Sequence, residues 1–194
     1  MIGSHRILVL ILILIAIWKI ITYVREGAIS HQDDKGNKGR TAAGSIQVMS
    51  ASTGIFHSEY NLEDEETSLY QIWIKPARNG VTPRWETAEF PKSPALNKLQ
   101  LVVSGNGGAP LQMQQNARIF VGHLNKDTKI EHLIQGKAYL LISKGNIVVN
   151  DLAANKGDGV AKSHEIAVNI TAMSDAEVLV IEVPGLQDAR KYNV

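Results

Sequence analysis

Ala138-Tyr139-Leu140-Leu141-Ile142-Ser143-Lys144-Gly145-Asn146-Ile147-Val148-Val149 sets two short runs of strong β formers on either side of Lys-Gly-Asn. Runs of about 4–8 such residues, bounded by Gly, Asn, Asp or Pro, read as strands. A Gly-Asn turn between two of them predicts a hairpin. The same grammar recurs in both directions. Ile46-Gln47-Val48 and Tyr70-Gln71-Ile72-Trp73-Ile74 alternate, and Leu99–Val103, Ile166–Ile170 and Val178–Val183 are short runs. Asn155-Lys156-Gly157-Asp158-Gly159 predicts a further turn. No helical periodicity of useful length appears in the body of the chain. The reading is all-β, a sandwich or barrel of antiparallel strands.

The chain has 194 residues, enough for one ordinary domain or two small ones. Twenty Lys+Arg stand against 19 Asp+Glu, for a net of +1, which argues against a dedicated nucleic-acid binder. There is no Cys. Disulfides, thiolate nucleophiles and Cys-based metal sites are therefore excluded, and any metal must be held by carboxylates and the six His.

The N-terminus differs from the rest. Ile7 to Trp18 is unbroken apolar sequence, interrupted by Lys19 and resumed at Ile20. A membrane helix needs about 20 apolar residues, which this run reaches only by including Lys19. A signal peptide fits the length and Arg6, but no small-x-small cleavage site follows. Hydropathy leaves open a membrane anchor over residues 7–24 and a buried or artefactual segment. The stretch 76–98 carries four of the six Pro and reads as a connection between two β units, and 186–194 as a loose tail.

Gly54-Ile55-Phe56-His57-Ser58-Glu59-Tyr60-Asn61 is the best candidate for chemistry. His57 and Glu59 are two apart, so on a strand they share a face and can reach one ion. Imidazole plus carboxylate suits Fe, Mn, Ni, Cu or Zn. Two such residues on a solvated strand face are the plainer alternative. The acidic run Glu63-Asp64-Glu65-Glu66 lacks the interleaved ligands of a calcium loop. Gly105-Asn106-Gly107-Gly108 has no following Lys-Ser/Thr and reads as a flexible loop. His123, His132, His164 and His31, the last in a polar turn region, read as structural or exposed. No nucleophile-elbow pattern stands out.

Glu26–Asn37, Met49-Ser50-Ala51, Gly54–Glu59 and Tyr70-Gln71-Ile72-Trp73-Ile74-Lys75-Pro76 occur in an order and spacing that resembles the pirin family, nearest the bacterial members described as quercetin 2,3-dioxygenases. Gly54-x-x-His57-x-x-x-Asn61 is also similar to the tail of the second cupin motif. The resemblance covers roughly residues 20–184. It implies a bicupin, two tandem β-barrels of the cupin superfamily, with one mononuclear metal in the N-terminal barrel. The implied divisions are an atypical apolar segment (1–19), a remnant N-terminal cupin (20–75), a connection (76–95), a C-terminal cupin (96–185) and the tail (186–194).

In that family the metal is held by a His-Pro-His pair and a His-x-Glu pair. The second pair maps onto His57 and Glu59, with Glu59 doubling as catalytic base. The first pair should lie just before Ile20-Ile21-Thr22-Tyr23-Val24 and is missing, so the first barrel reads as truncated, with open edges and weak metal binding. Family text resembling Gly-Phe-Asp-Thr-His-Pro-His-Arg-Asp-Met-Glu, written in codons whose degenerate third bases are chosen to fit and read from its second base with one A added, becomes Val9 to Lys19 residue for residue. The apolar segment is therefore expected to be an out-of-frame translation of the metal-binding strand. By this resemblance the function is a metal-dependent dioxygenase, with iron (or Cu, Ni, Mn or Zn), a flavonol-type substrate and dioxygen, impaired in this chain. The alternatives are a non-enzymatic pirin-type protein that binds a transcriptional or metabolic partner, or an inactive truncated copy. The expected location is cytoplasmic, or membrane-associated if residues 7–24 are an anchor.

Overall fold

A computed structural model describes residues 9–15, 18–51, 53–77, 80, 82–90 and 97–185, with side chains from 18 onward. All described regular elements are strands, and the chain forms two compact units. The tail expected at 186–194 lies outside the described residues.

The first unit holds β1 (Val9–Ile15), β2 (Lys19–Glu26), β3 (Ala28–Asp33), β4 (Lys38–Ala42), β5 (Ser45–Ser50), β6 (Ile55–Tyr60), β7 (Ser68–Ile74) and β8 (Arg84–Glu89). They make two four-stranded antiparallel sheets, ordered β1-β6-β3-β4 and β7-β2-β5-β8. β2 and β5 are central and their residues 19–24 and 45–50 are all buried. Burial on both faces explains why Ile20-Ile21-Thr22-Tyr23-Val24 does not alternate. Part of this interior is apolar, with Ile20, Met49, Ala51 and Ile55 packed together against Trp85. The rest is polar, since Thr22, His31, Thr41, Gln47, His57 and Glu59 are all buried.

Two expectations change here. Val9–Ile15 forms a strand whose backbone pairs antiparallel with β6, from Val9↔Tyr60 to Ile15↔Ile55, so the edge of β6 expected to be open is covered. No helix among the described residues is long and apolar enough to cross a membrane. Within the expected 76–95 connection, residues 84–89 form β8, paired along β5 from Ser45↔Glu89 to Ser50↔Arg84. Flanking prolines masked this strand.

The second unit holds β9 (Leu99–Ser104), β10 (Leu111–Gln112), β11 (Arg118–Leu124), β12 (Lys129–Leu133), β13 (Lys137–Lys144), β14 (Asn146–Val149), β15 (Leu152–Asn155), β16 (Gly159–Ser163), β17 (Ala167–Ala172) and β18 (Ala176–Val183). Their sheets are ordered β10-β9-β11-β18-β13-β16 and β12-β17-β14-β15. Leu140, Ile142, Ile147, Val149, Val168, Ile170, Val178 and Val180 fill the interior as one apolar cluster. The predicted Lys144-Gly145-Asn146 hairpin is overturned. β13 pairs with β16 and β18, whereas β14 pairs with β15 and β17. The turn instead carries the chain from one sheet to the other. Gly145 sits at φ 74°, and a Cβ there would lie 2.2 Å from the Asp175 carbonyl oxygen. Only glycine allows this corner. The polar cluster of this unit is structural: buried Glu182 accepts from Arg118, from the Gln135 amide and from His132 (2.6 Å).

Lys19 is fully buried on β2 with no hydrogen-bond partner for its Nζ among the described residues. Burial, with Arg84 nearby, brings its pKa down from 10.5 to about 8. Below pH 8 both folded and unfolded chains are protonated there, and the folded state carries the whole cost of the buried ammonium. Between pH 8 and 10.5 the unfolded chain binds more protons, so stability rises with pH. Lys19→Met should therefore raise the melting temperature at pH 7.5, with the advantage shrinking toward pH 10. Calorimetry across that range checks this, and a pH-independent gap would contradict it.

Candidate metal centre

On β6, Ile55, His57, Ser58 and Glu59 are buried while Phe56 is exposed. Alternate residues of a strand share a face. His57 and Glu59 thus project into the interior of the first unit, on the face that their spacing assigned to them. The ladder then brings in a third group. β3 lies beside β6 with His31 opposite Glu59 and Asp33 opposite His57. His31, His57 and Glu59 each present one ligand atom, all within 4.8 Å of one another. The three side chains are nearly inaccessible, at 3%, 5% and 1% exposure.

His31 was expected in a polar turn, structural or exposed. It is a buried strand residue, and the turn begins only after Asp33. Ser30-His31-Gln32-Asp33 repeats the two-residue spacing of His57-Ser58-Glu59, which is the signal that could have found it. His31 Nε2 meets Asp33 Oδ2 at 3.0 Å. Asp33 also accepts from the backbone amides of Lys35 and Asn37 and from the Asn37 side chain. Burial pushes the Asp33 carboxyl up, but these hydrogen bonds outweigh it and hold it below the ordinary range. A histidine whose second nitrogen is held by a carboxylate is in the usual state of a metal ligand.

The other face of His31 is covered by Trp85, stacked at 5.2 Å and 10°. Gly39 lies opposite His31 in the β3–β4 ladder, and a Cβ there would sit 2.2 Å from the indole ring. The missing side chain is the space that the ring fills.

Burial, then proximity to His31, lowers the His57 pKa to about 4 against the opposing pull of Asp33, so the ring is neutral at pH 7. Burial likewise lowers His31, with Asp33 opposing. Burial raises Glu59, with hydrogen bonds from Gln47 and Gln71 (3.0 Å) opposing. The Nδ1 atoms of His31 and His57 are buried with no hydrogen-bond partner among the described residues. Buried ring nitrogens without partners are costly unless something binds them. Two neutral imidazoles and a carboxylate are the donor set of Fe, Ni, Cu or Zn, so the residues fit a divalent metal.

Residues 17–74 match the family described as Pirin, and residues 101–183 match the quercetinase C-terminal cupin domain. The quercetin 2,3-dioxygenase of Escherichia coli K12 is 42% identical over 170 residues, spanning 86% of this chain and 72% of that one. The chain belongs to the pirin family. A pirin-like protein of Caulobacter vibrioides is 41% identical over 169 residues, covering 84% of this chain and 72% of its own. Among solved structures, the bacterial pirin YhhW from Escherichia coli in complex with nickel(II) aligns with a TM-score of 0.82 at 40% identity, over 89% of this chain and 75% of that one. The cupin-type all-β fold expected from the sequence is thus that of the pirins.

Three further histidines of this pirin lie among the described residues. His123 meets Glu177 at 3.1 Å, His132 meets Glu182, and His164 lies in the segment after β16 at φ 71°. In the acidic run, Glu63 pairs with Arg40 at the surface (2.8 Å). Gly39→Ala should expel Trp85 from His31 and destabilise the fold by roughly 1–3 kcal/mol, the usual cost of overpacking. A drop in melting temperature with a red shift in tryptophan emission checks this, and an unchanged emission spectrum would contradict it.

Proposed function

We propose that the first unit is a pirin-type centre for one divalent metal, iron for oxygen chemistry, held by His57 and Glu59 from β6 with His31 from β3 as a third ligand. The carrying observation is the meeting of these three buried donors within 4.8 Å, with an unpartnered Nδ1 on each imidazole. The chemistry we assign is dioxygenation of a flavonol-type substrate such as quercetin, in line with the name of the Escherichia coli relative. A bound metal would supply Lewis acidity and a template for the adjacent oxygens of the flavonol. Glu59 takes the proton of the flavonol hydroxyl, which needs a carboxylate within hydrogen-bond reach. Asp33 holds the His31 ring in one orientation and tautomer.

Val9–Ile15, which pairs with β6 at the ligand positions, contains only Val, Leu and Ile. The strand that supplies His-Pro-His by resemblance therefore supplies no ligand here, and we take the activity to be impaired. Two observations support an out-of-frame origin for Val9–Lys19. The family match begins only at residue 17, and Lys19 is a buried cation beside Arg84, where the resembling text has Glu. Resequencing the locus tests this origin, since an intact frame with no run of A bases would exclude it.

Restoring His-Pro-His-Arg-Asp-Met-Glu in place of residues 13–19 should raise iron-dependent oxygen consumption with quercetin at least about tenfold over the native chain, the scale on which ligand-shell changes act. His57→Ala should abolish it in both backgrounds. An oxygen electrode reads this directly. If neither chain consumes oxygen with quercetin, the enzymatic reading falls and the partner-binding one takes its place.

A further inference from the structure

Among the described residues, Glu59 has no ion-pair partner. Both of its oxygens accept from neutral amides: Gln47 Nε2 donates to Oε1, and Gln71 Nε2 donates to Oε2 at 3.0 Å. Each of these amides in turn accepts an indole N–H. Trp85 Nε1 donates to Gln47 Oε1 at 3.2 Å, and Trp73 Nε1 donates to Gln71 Oε1 at 3.0 Å. The carboxylate is the midpoint of a five-residue chain, Trp85–Gln47–Glu59–Gln71–Trp73, that runs from β8 through β5 and β6 to β7.

An amide can turn over and exchange its oxygen for its nitrogen. Facing a carboxylate, only the nitrogen attracts, because the oxygen would set two acceptors against each other. An indole N–H is a donor and nothing else, so it accepts no alternative to the amide oxygen. The Gln47 amide is also saturated: its oxygen accepts from Thr41 (2.9 Å) as well as Trp85, and its nitrogen donates to Thr22 (3.3 Å) as well as Glu59. With one amide on each oxygen, Glu59 keeps further lone pairs for another partner but loses the freedom to rotate. Trp85 contributes twice, since the same ring stacks on His31.

We propose that Gln47 and Gln71 are positioning residues for Glu59, each keyed by an indole N–H, and that Trp73 and Trp85 thereby set the carboxylate's aim as a metal ligand. The effect on metal binding rests on the proposed centre, whereas the keyed chain itself does not. Trp73 is half exposed, so its replacement leaves the core intact.

The test uses the full chain in two arms. In metal-free, nitrogen-15-labelled protein, Glu59→Gln should move the indole N–H resonances of both Trp73 and Trp85, assigned through Trp73→Phe and Trp85→Phe. In equilibrium dialysis against Ni²⁺, Trp73→Phe should weaken binding about tenfold or more at an unchanged melting temperature. Trp18→Leu, which removes the edge-to-face neighbour of Trp73 but no link of the chain, should leave affinity as it was. The proposal is overturned if Glu59→Gln leaves both indole resonances in place. It is equally overturned if Trp73→Phe binds Ni²⁺ like the native chain while Glu59→Ala does not. If Glu59→Ala itself binds Ni²⁺ normally, the metal centre is refuted, and the resonance shifts alone decide the keyed chain.

Discussion

A carboxylate with 1% of its surface exposed governs the first unit. Glu59 loses nearly all contact with water, and a buried carboxylate left unpaired costs several kcal/mol. No Lys or Arg among the described residues pairs with it. Two glutamine amides stand in instead, and they need two further donors to hold them in the right sense. The positions of Gln47, Gln71, Trp73 and Trp85 follow from that single burial. β5 and β7 carry the two glutamine donors, and His31 comes from β3 beside β6. An arrangement that leaves the carboxylate oriented and only partly satisfied suits an ion better than it suits stability alone.

The two units make the contrast visible. The second closes its sheets over an apolar cluster of Leu140, Ile142, Val168, Ile170 and their neighbours. Its buried carboxylate, Glu182, is paired with Arg118 and His132, and these hydrogen bonds hold it below the ordinary range although burial pushes it up. The first unit leaves Glu59 raised and two imidazoles neutral. A charge-paired carboxylate is a strut, while an amide-held one beside neutral imidazoles can serve as a ligand set. Val9–Ile15 keeps the ladder to β6 closed while bringing no donor of its own. Backbone pairing depends little on side-chain type, so a strand can survive a change that removes its chemistry.

The strands were legible because β formers and turn residues alternate so regularly. His57 and Glu59 were legible because a spacing of two fixes a shared face. His31 was not, because Ser, Gln and Asp around it read as a polar turn, and only the ladder shows that this strand is buried beside β6. The Lys144-Gly145-Asn146 turn was found but its partners were not. A turn signal is local, whereas the choice between folding back and crossing to the other sheet depends on Asp175, thirty residues away in sequence. β8 was hidden by its prolines. The glutamines gave no signal, since their role lies in what they touch.

Whether the first unit holds a metal decides between a working centre and a residual fold. The direct measurement is elemental analysis of the purified full chain after dialysis against Fe²⁺ or Ni²⁺, beside His57→Ala and His31→Ala. Three converging ligands predict one equivalent in the native chain, loss of it in His57→Ala, and about tenfold or greater weakening in His31→Ala. A native chain that retains no more metal than His57→Ala would contradict the assignment.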